Sequence, residues 1–191
     1  MPETSASLLD RLADRGDDAA WRRLLDLYTP LIRGWLRRQD VPPGEADDLT
    51  QEVLAVVVRE LPDFRHNRRA GAFRAWLRAI TTNCLRRAWR ARDARGGRVD
   101  LGPLLDRLED PVSDPSRAWD RDHDRHVLAH LLAGLKPDFQ PGTWAAFRRT
   151  TLDGAPTAAV AAELGVTVNA VLIARSRVVQ RLRQLSAGLL D

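Results

Sequence analysis

Eleven arginines and a single acid, Asp93, lie between residues 65 and 98. Guanidinium groups stay charged at any physiological pH and grip phosphates through paired hydrogen bonds, so the chemistry on offer is recognition rather than bond making. Such a block reads as the footprint of a polyanion partner. A solvated helix face is the alternative, but glutamates at helical spacing, which would compensate such a face, are absent from it. Residues 40–58 hold Asp40, Glu45, Asp47, Asp48 and Glu52 with no Lys or Arg, and residues 99–124 hold eight acids against three arginines. Charge therefore alternates along the chain in three blocks, although the net charge is only +4.

Residues that could carry catalysis are sparse. The sequence has no G-x-x-x-x-G-K-[ST] phosphate loop and no H-E-x-x-H, and its one cysteine, Cys84, lacks a partner for a disulfide or a zinc site and sits among apolar neighbours as a small core residue would. His126 and His130 share a helix face at i, i+4, but no third metal ligand accompanies them. The expectation is a protein with no enzymatic activity, no cofactor and no metal.

The elements that must position these residues follow from periodicity. The chain has 191 residues, 44% of them hydrophobic and 29% charged, enough for two small helical domains. Its longest strictly apolar run, Val53 to Val58, falls far short of the roughly 20 residues of a spanning helix. With no basic-then-apolar leader visible, the expectation is a cytoplasmic protein without membrane insertion. Helical spacing runs through Leu8, Leu9 and Leu12, then from Trp21 to Trp35 with a kink at Pro30. A third helix starts after Pro42-Pro43 and ends at Pro62; a fourth begins near Ala72 and aligns Phe73, Trp76, Leu77, Ile80 and Cys84. From Asp93 to His123 the sequence is broken by Gly96-Gly97, Gly102-Pro103, Asp110-Pro111 and Asp114-Pro115, and reads as an acidic flexible linker. No strand-like alternation of useful length is present. The expected architecture is all-α, with a first domain over 1–92, a linker over 93–123 and a second domain over 124–191.

The last two helices have the grammar of a helix-turn-helix over about 156–185. Pro156-Thr157 opens a short helix, Gly165-Val166-Thr167 makes the turn, and a long helix follows with Thr167 as its cap. Val171, Ala174, Val178, Leu182 and Leu185 point inward. Asn169, Leu172, Ile173, Ser176, Arg177, Gln180 and Arg183 are left on the outer face, where apolar groups beside arginines suit thymine methyls beside phosphates.

The run AAVAAELGVTVNAVLIARSRVVQRLRQL resembles the fourth conserved region of bacterial sigma factors, and DDLTQEVLAVVVRELPDF followed by FRAWLRAITTNCLRRAWR resembles the second. The order and spacing resemble the small extracytoplasmic-function (ECF) sigma factors of the sigma-70 family, over about residues 7–187. That resemblance implies a factor that binds core RNA polymerase and promoter DNA. Asp47, Asp48, Gln51 and Glu52 would dock on the β′ clamp. Arg65, Arg68, Arg69, Asn83, Arg86, Arg87 and Arg90 would take the −10 element, with a base flipped under the loop before the fourth helix. Thr167, Asn169, Leu172, Ile173, Ser176 and Arg177 would take the −35 duplex. The β flap and an anti-sigma factor are further partners the family implies, and the linker would thread near the polymerase active-site channel. Leu172, Ile173 and Ala174 depart from the polar or basic side chains of many relatives. A stand-alone helix-turn-helix repressor is the alternative function, but it leaves the acidic and basic blocks without a task.

Overall fold

The computed structural model describes residues 7–12, 16–39, 41–64, 71–94 and 101–190. Among them the chain is all-α, with nine α-helices and no strand. It divides into two compact units, one spanning residues 6–127 and the other 128–187, and buried Leu189 groups with the first.

In the first unit, α1 (Leu8–Leu12) and α2 (Asp18–Arg37) are tied at their junction by Asp17. Its carboxylate accepts from the Ala20 amide at 2.9 Å, capping α2, and receives Arg11 at 2.8 and 2.9 Å. Both interactions hold the Asp17 carboxyl below its ordinary pKa, the Arg11 hydrogen bond most strongly. Helix α2 carries Leu24, Leu27, Tyr28, Leu31, Ile32 and Trp35 into the core and runs on through Pro30. Helix α3 (Pro43–Glu60) uses Pro43 at its first turn, where the missing N–H costs nothing, and buries Leu49, Val53 and Val57. Helix α4 (Ala72–Asp93) starts at Gly71, whose φ of 73° is left-handed. A side chain there would also collide with the Arg74 guanidinium, 2.8 Å from the position of an added Cβ.

Residues 93–123 differ from the expected linker. Helix α5 (Gly102–Glu109) packs on α4 and buries Leu105 and Leu108, and α6 (Asp114–Leu135) begins ten residues before the linker was expected to end. Ser116, Trp119, His123 and Val127 form the buried stripe of its first half, which belongs to the first unit. Trp119 stands edge-on to Trp35 with ring centroids 4.9 Å apart and donates its indole N–H to the Arg74 carbonyl at 3.4 Å. Acids of the 99–124 acidic block, two of them in the expected linker, meet arginines of the first unit. Asp120 pairs with Arg78 at 2.8 Å, Asp124 with Arg74 at 2.7 Å, and Asp122 with Arg38 at 2.7 Å. Arg78 is only 7% exposed, so its charge needs that partner.

His123 lies in the same seam. Its Nδ1 is 3.0 Å from Asp124 Oδ1, and a carboxylate can only accept, so Nδ1 carries the ring proton and Nε2 accepts from the Tyr28 hydroxyl at 3.3 Å. Burial holds the His123 pKa below its ordinary value, against the upward pull of Asp124. The folded imidazole is neutral, whereas the unfolded one takes up a proton below about pH 6.5. Stability from this site is therefore complete above that pH and is lost as pH falls through the depressed folded value, with a slope of up to about 1.4 kcal/mol per pH unit. Urea midpoints measured from about pH 7.5 down to 5 should fall, and His123→Gln should flatten the profile; equal slopes in both proteins would show the imidazole to be uninvolved.

In the second unit, the remainder of α6 buries Leu131 and Leu135. Helix α7 (Pro141–Phe147) continues into a π-helical turn, Arg148–Leu152, which leaves Leu152 exposed. Helices α8 (Thr157–Leu164) and α9 (Val168–Ser186) close a small core of Ala146, Val160, Ala161 and Val171.

Candidate nucleic-acid and polymerase interface

Helix α3 separates two chemistries by periodicity. Asp48, Gln51, Glu52 and Ala55 are exposed, while Leu49, Val53 and Val57 are buried on the opposite side. Asp47 turns toward α2, where Arg33 meets it at 2.9 Å and Arg37 at 3.5 Å. Of the four acidic-box residues expected to dock, Asp48, Gln51 and Glu52 thus share an outward stripe, and Asp47 is engaged within the chain. Glu52 also reaches Arg87 at 2.6 Å.

The C-terminal halves of α3 and α4 enclose an open groove of about 460 Å³. Asn83, Arg86, Arg87 and Arg90 all line it, together with Arg59 and Glu60 from the end of α3. These α4 residues share the groove because Asn83, the adjacent Arg86 and Arg87, and Arg90 follow one another at about one-turn intervals, and its lining also includes the apolar Val56, Ile80 and Cys84. Cys84 is buried and its thiol pKa is raised by that burial, which leaves it a weak nucleophile. Arg59 was not anticipated, because it follows an acid-only stretch; its spacing of three and seven residues from Val56 and Glu52 is the signal that could have found it.

Among the described residues, Arg86 is the least exposed of the expected DNA-binding arginines, and acids of α5 lie against it. Glu109 hydrogen-bonds it directly and Asp106 lies 3.7 Å away. The Glu109 bond raises the Arg86 pKa, and the same bond lowers that of Glu109. Arg90 remains exposed. Trp89 is half-buried in a recess with Val41, Leu49 and Leu85, and Trp76 packs on Phe64 and Phe73 with ring centroids 4.8 and 5.5 Å away. Arg65, Arg68 and Arg69 lie outside the described residues.

Helices α8 and α9 bend by 104° across a three-residue turn, within the range of a helix-turn-helix. Gly165 takes φ of 65°, and the Val166 amide returns to the Ala161 carbonyl at 3.0 Å to close the end of α8. The Thr167 hydroxyl accepts from the Ala170 amide at 3.1 Å and caps α9. Val171 and Val178 are buried below, whereas Thr167, Asn169, Leu172, Ile173, Ser176 and Arg177 are all exposed on the outer side. Arg149 braces the motif through Asp153 at 3.2 Å and Glu163 at 3.0 Å. A separate apolar recess of about 680 Å³ is lined by Lys136, Pro137, Phe139, Pro141 and Trp144.

No group of three or more metal-ligating side chains occurs among the described residues, and no single helix is long and apolar enough to cross a membrane. Two basic, exposed surfaces on helical scaffolds, one a groove and one a helix-turn-helix, have the charge and shape that suit a nucleic acid. Residues 24–95 match the Sigma-70 region 2 family, which covers α3, α4 and the groove between them. The chain is 29% identical over 188 residues to the ECF RNA polymerase sigma factor SigE of Mycolicibacterium smegmatis, spanning 95% of this chain and 66% of that one. It is 29% identical over 170 residues to the ECF RNA polymerase sigma factor SigF of Caulobacter vibrioides, spanning 88% of this chain and 87% of that one. Residues 24–95 are thus similar to Sigma-70 region 2, and over most of its length the chain is similar to ECF sigma factors.

Proposed function

We propose that this chain is a promoter-specificity factor that binds core RNA polymerase and directs transcription initiation from its own promoters, working in the cytoplasm. The observation that carries this reading is the α3–α4 pair: an outward acidic stripe on α3 and, joined to it by the Glu52–Arg87 pair, an arginine-lined groove. A single small domain with both faces suits a protein that must hold a basic protein surface and a nucleic acid together. The stripe of Asp48, Gln51 and Glu52, with Asp47 behind it, docks on the β′ clamp. The groove takes the unpaired −10 strand, where Asn83 offers an amide to a base edge and Arg86, Arg87, Arg90 and Arg59 hold phosphates. Arg65, Arg68 and Arg69 precede α4 in the chain and are assigned to the same −10 element.

The second unit takes the −35 duplex. Recognition-helix N-termini in helix-turn-helix proteins meet base edges, so Thr167, Asn169, Leu172, Ile173, Ser176 and Arg177 are the contacts. The apolar recess beside Trp144 suits an amphipathic element such as the β flap. Binding of an anti-sigma factor would compete for one or both of these surfaces. The decisive experiment is transcription of fragmented genomic DNA by core polymerase with and without the purified chain. Discrete new start sites sharing −10 and −35 elements are expected; binding of the chain to duplex DNA as a stable dimer, without any new start, would favour a repressor instead.

Arg86 can hold a phosphate only by exchanging Glu109 and Asp106 for it. Neutralising both, with Glu109→Gln and Asp106→Asn, should tighten binding of a single-stranded −10 oligonucleotide by about five- to tenfold at low salt. The salt slope should also steepen by about one phosphate contact. Fluorescence anisotropy at several salt concentrations reads both quantities; unchanged affinity would make Arg86 a structural residue holding α5.

A further inference from the structure

The recognition helix carries an exposed apolar pair that its own fold does not use. Leu172 and Ile173 are each 45% exposed, while Val171 and Val178 of the same helix are buried. Val168, one turn before Leu172, is also 45% exposed. Leu172 and Ile173 flank a polar ridge of Asn169, Ser176 and Gln180, all exposed. Helix α9 contains Arg175, Arg177, Arg181 and Arg183 and no acid at all. An occupant of this face must therefore be strongly anionic and yet present small apolar groups at the depth of the first two helical turns. Major-groove DNA satisfies both demands at one base only: thymine carries a C5 methyl into the groove, while the other bases present hydrogen-bonding atoms there.

We propose that this factor reads its −35 element in part through thymine methyls, with Leu172 and Ile173 as the specificity-determining contacts and Asn169 and Ser176 bonding the neighbouring base edges. The inference rests on the −35 reading of the helix-turn-helix given above. Position supports it, because both side chains lie in the first turn and a half of α9, the part of a recognition helix that reaches base edges. Chemistry supports it as well: each methyl packed against Leu172 or Ile173 leaves water, whereas either side chain opposite a guanine or a cytosine would bury a polar group without a partner.

The test replaces thymine by deoxyuridine, which removes the methyl and leaves pairing intact. Holoenzyme reconstituted with the full chain is bound to a promoter found by start-site mapping, with the −35 duplex carrying dT, dU or a scrambled sequence. Wild type should lose about fourfold in affinity for each contacted methyl on going from dT to dU. With Leu172→Ala or Ile173→Ala, the dT-to-dU ratio should shrink toward one at the methyl that residue contacts, which a merely weakened helix would not produce. If the scrambled duplex abolishes binding but dT and dU bind equally to wild type, methyl reading is wrong while the −35 reading stands, and the apolar pair belongs to a protein partner. If scrambling has no effect, the −35 reading itself fails and takes the methyl inference with it.

Discussion

Reversing two charges on α3, with Asp48→Lys and Glu52→Lys together, should cost at least about 100-fold in affinity for core polymerase while leaving the fold intact. The size follows from placing like charges across an interface built for opposite ones, which costs several kcal/mol, at about 1.4 kcal/mol for each factor of ten. The fold should survive because both residues are exposed and the hydrophobic side of α3, Leu49, Val53 and Val57, is untouched. Loss of the exposed Glu52–Arg87 pair contributes little by itself. Asp47→Asn should weaken binding far less, since Arg33 and Arg37 already engage that carboxylate. Binding of labelled chain to core polymerase, with circular dichroism as the check on folding, separates these cases. Undiminished binding by the double variant would move the docking surface off α3.

Trp119→Ala should remove about 3–5 kcal/mol from the unfolding free energy of the first unit, the cost typical of a buried aromatic cut back to alanine. Trp119 is 1% exposed, stacks edge-on against Trp35 and donates to the Arg74 carbonyl, so its removal opens a cavity and orphans that contact. For a residue in a solvated linker the same change would stay within about 0.5 kcal/mol. Urea denaturation followed by tryptophan fluorescence and circular dichroism distinguishes the two. A small effect would mean that the first half of α6 does not stabilise the unit, and the acids at 120, 122 and 124 would then lose their structural role too.

Helix periodicity by itself determined the all-α class, the span of α3 and α4, the outward stripe of Asp48, Gln51 and Glu52, and the capped helix-turn-helix around Gly165 and Thr167. Each of these depends on residues within a few turns of one another, where 3.6-residue spacing and cap chemistry suffice. Composition misled at 93–123. Gly-Pro and Asp-Pro pairs with eight acids look like a chain unable to bury itself, yet Leu105, Leu108 and Trp119 find apolar ground on helices far away in sequence, and the acids find Arg74, Arg78, Arg86 and Arg38. The same long-range pairing decided what the arginine block is for. Local spacing makes Arg74, Arg78, Arg86 and Arg90 equivalent basic side chains; only tertiary structure turns the first two into internal partners of α6, half-covers the third with α5, and leaves Arg90 exposed in the groove. A charge in a sequence has a sign and a place on its helix, but whether it is spent inside the fold or offered to a partner depends on what the rest of the chain brings within about 4 Å of it.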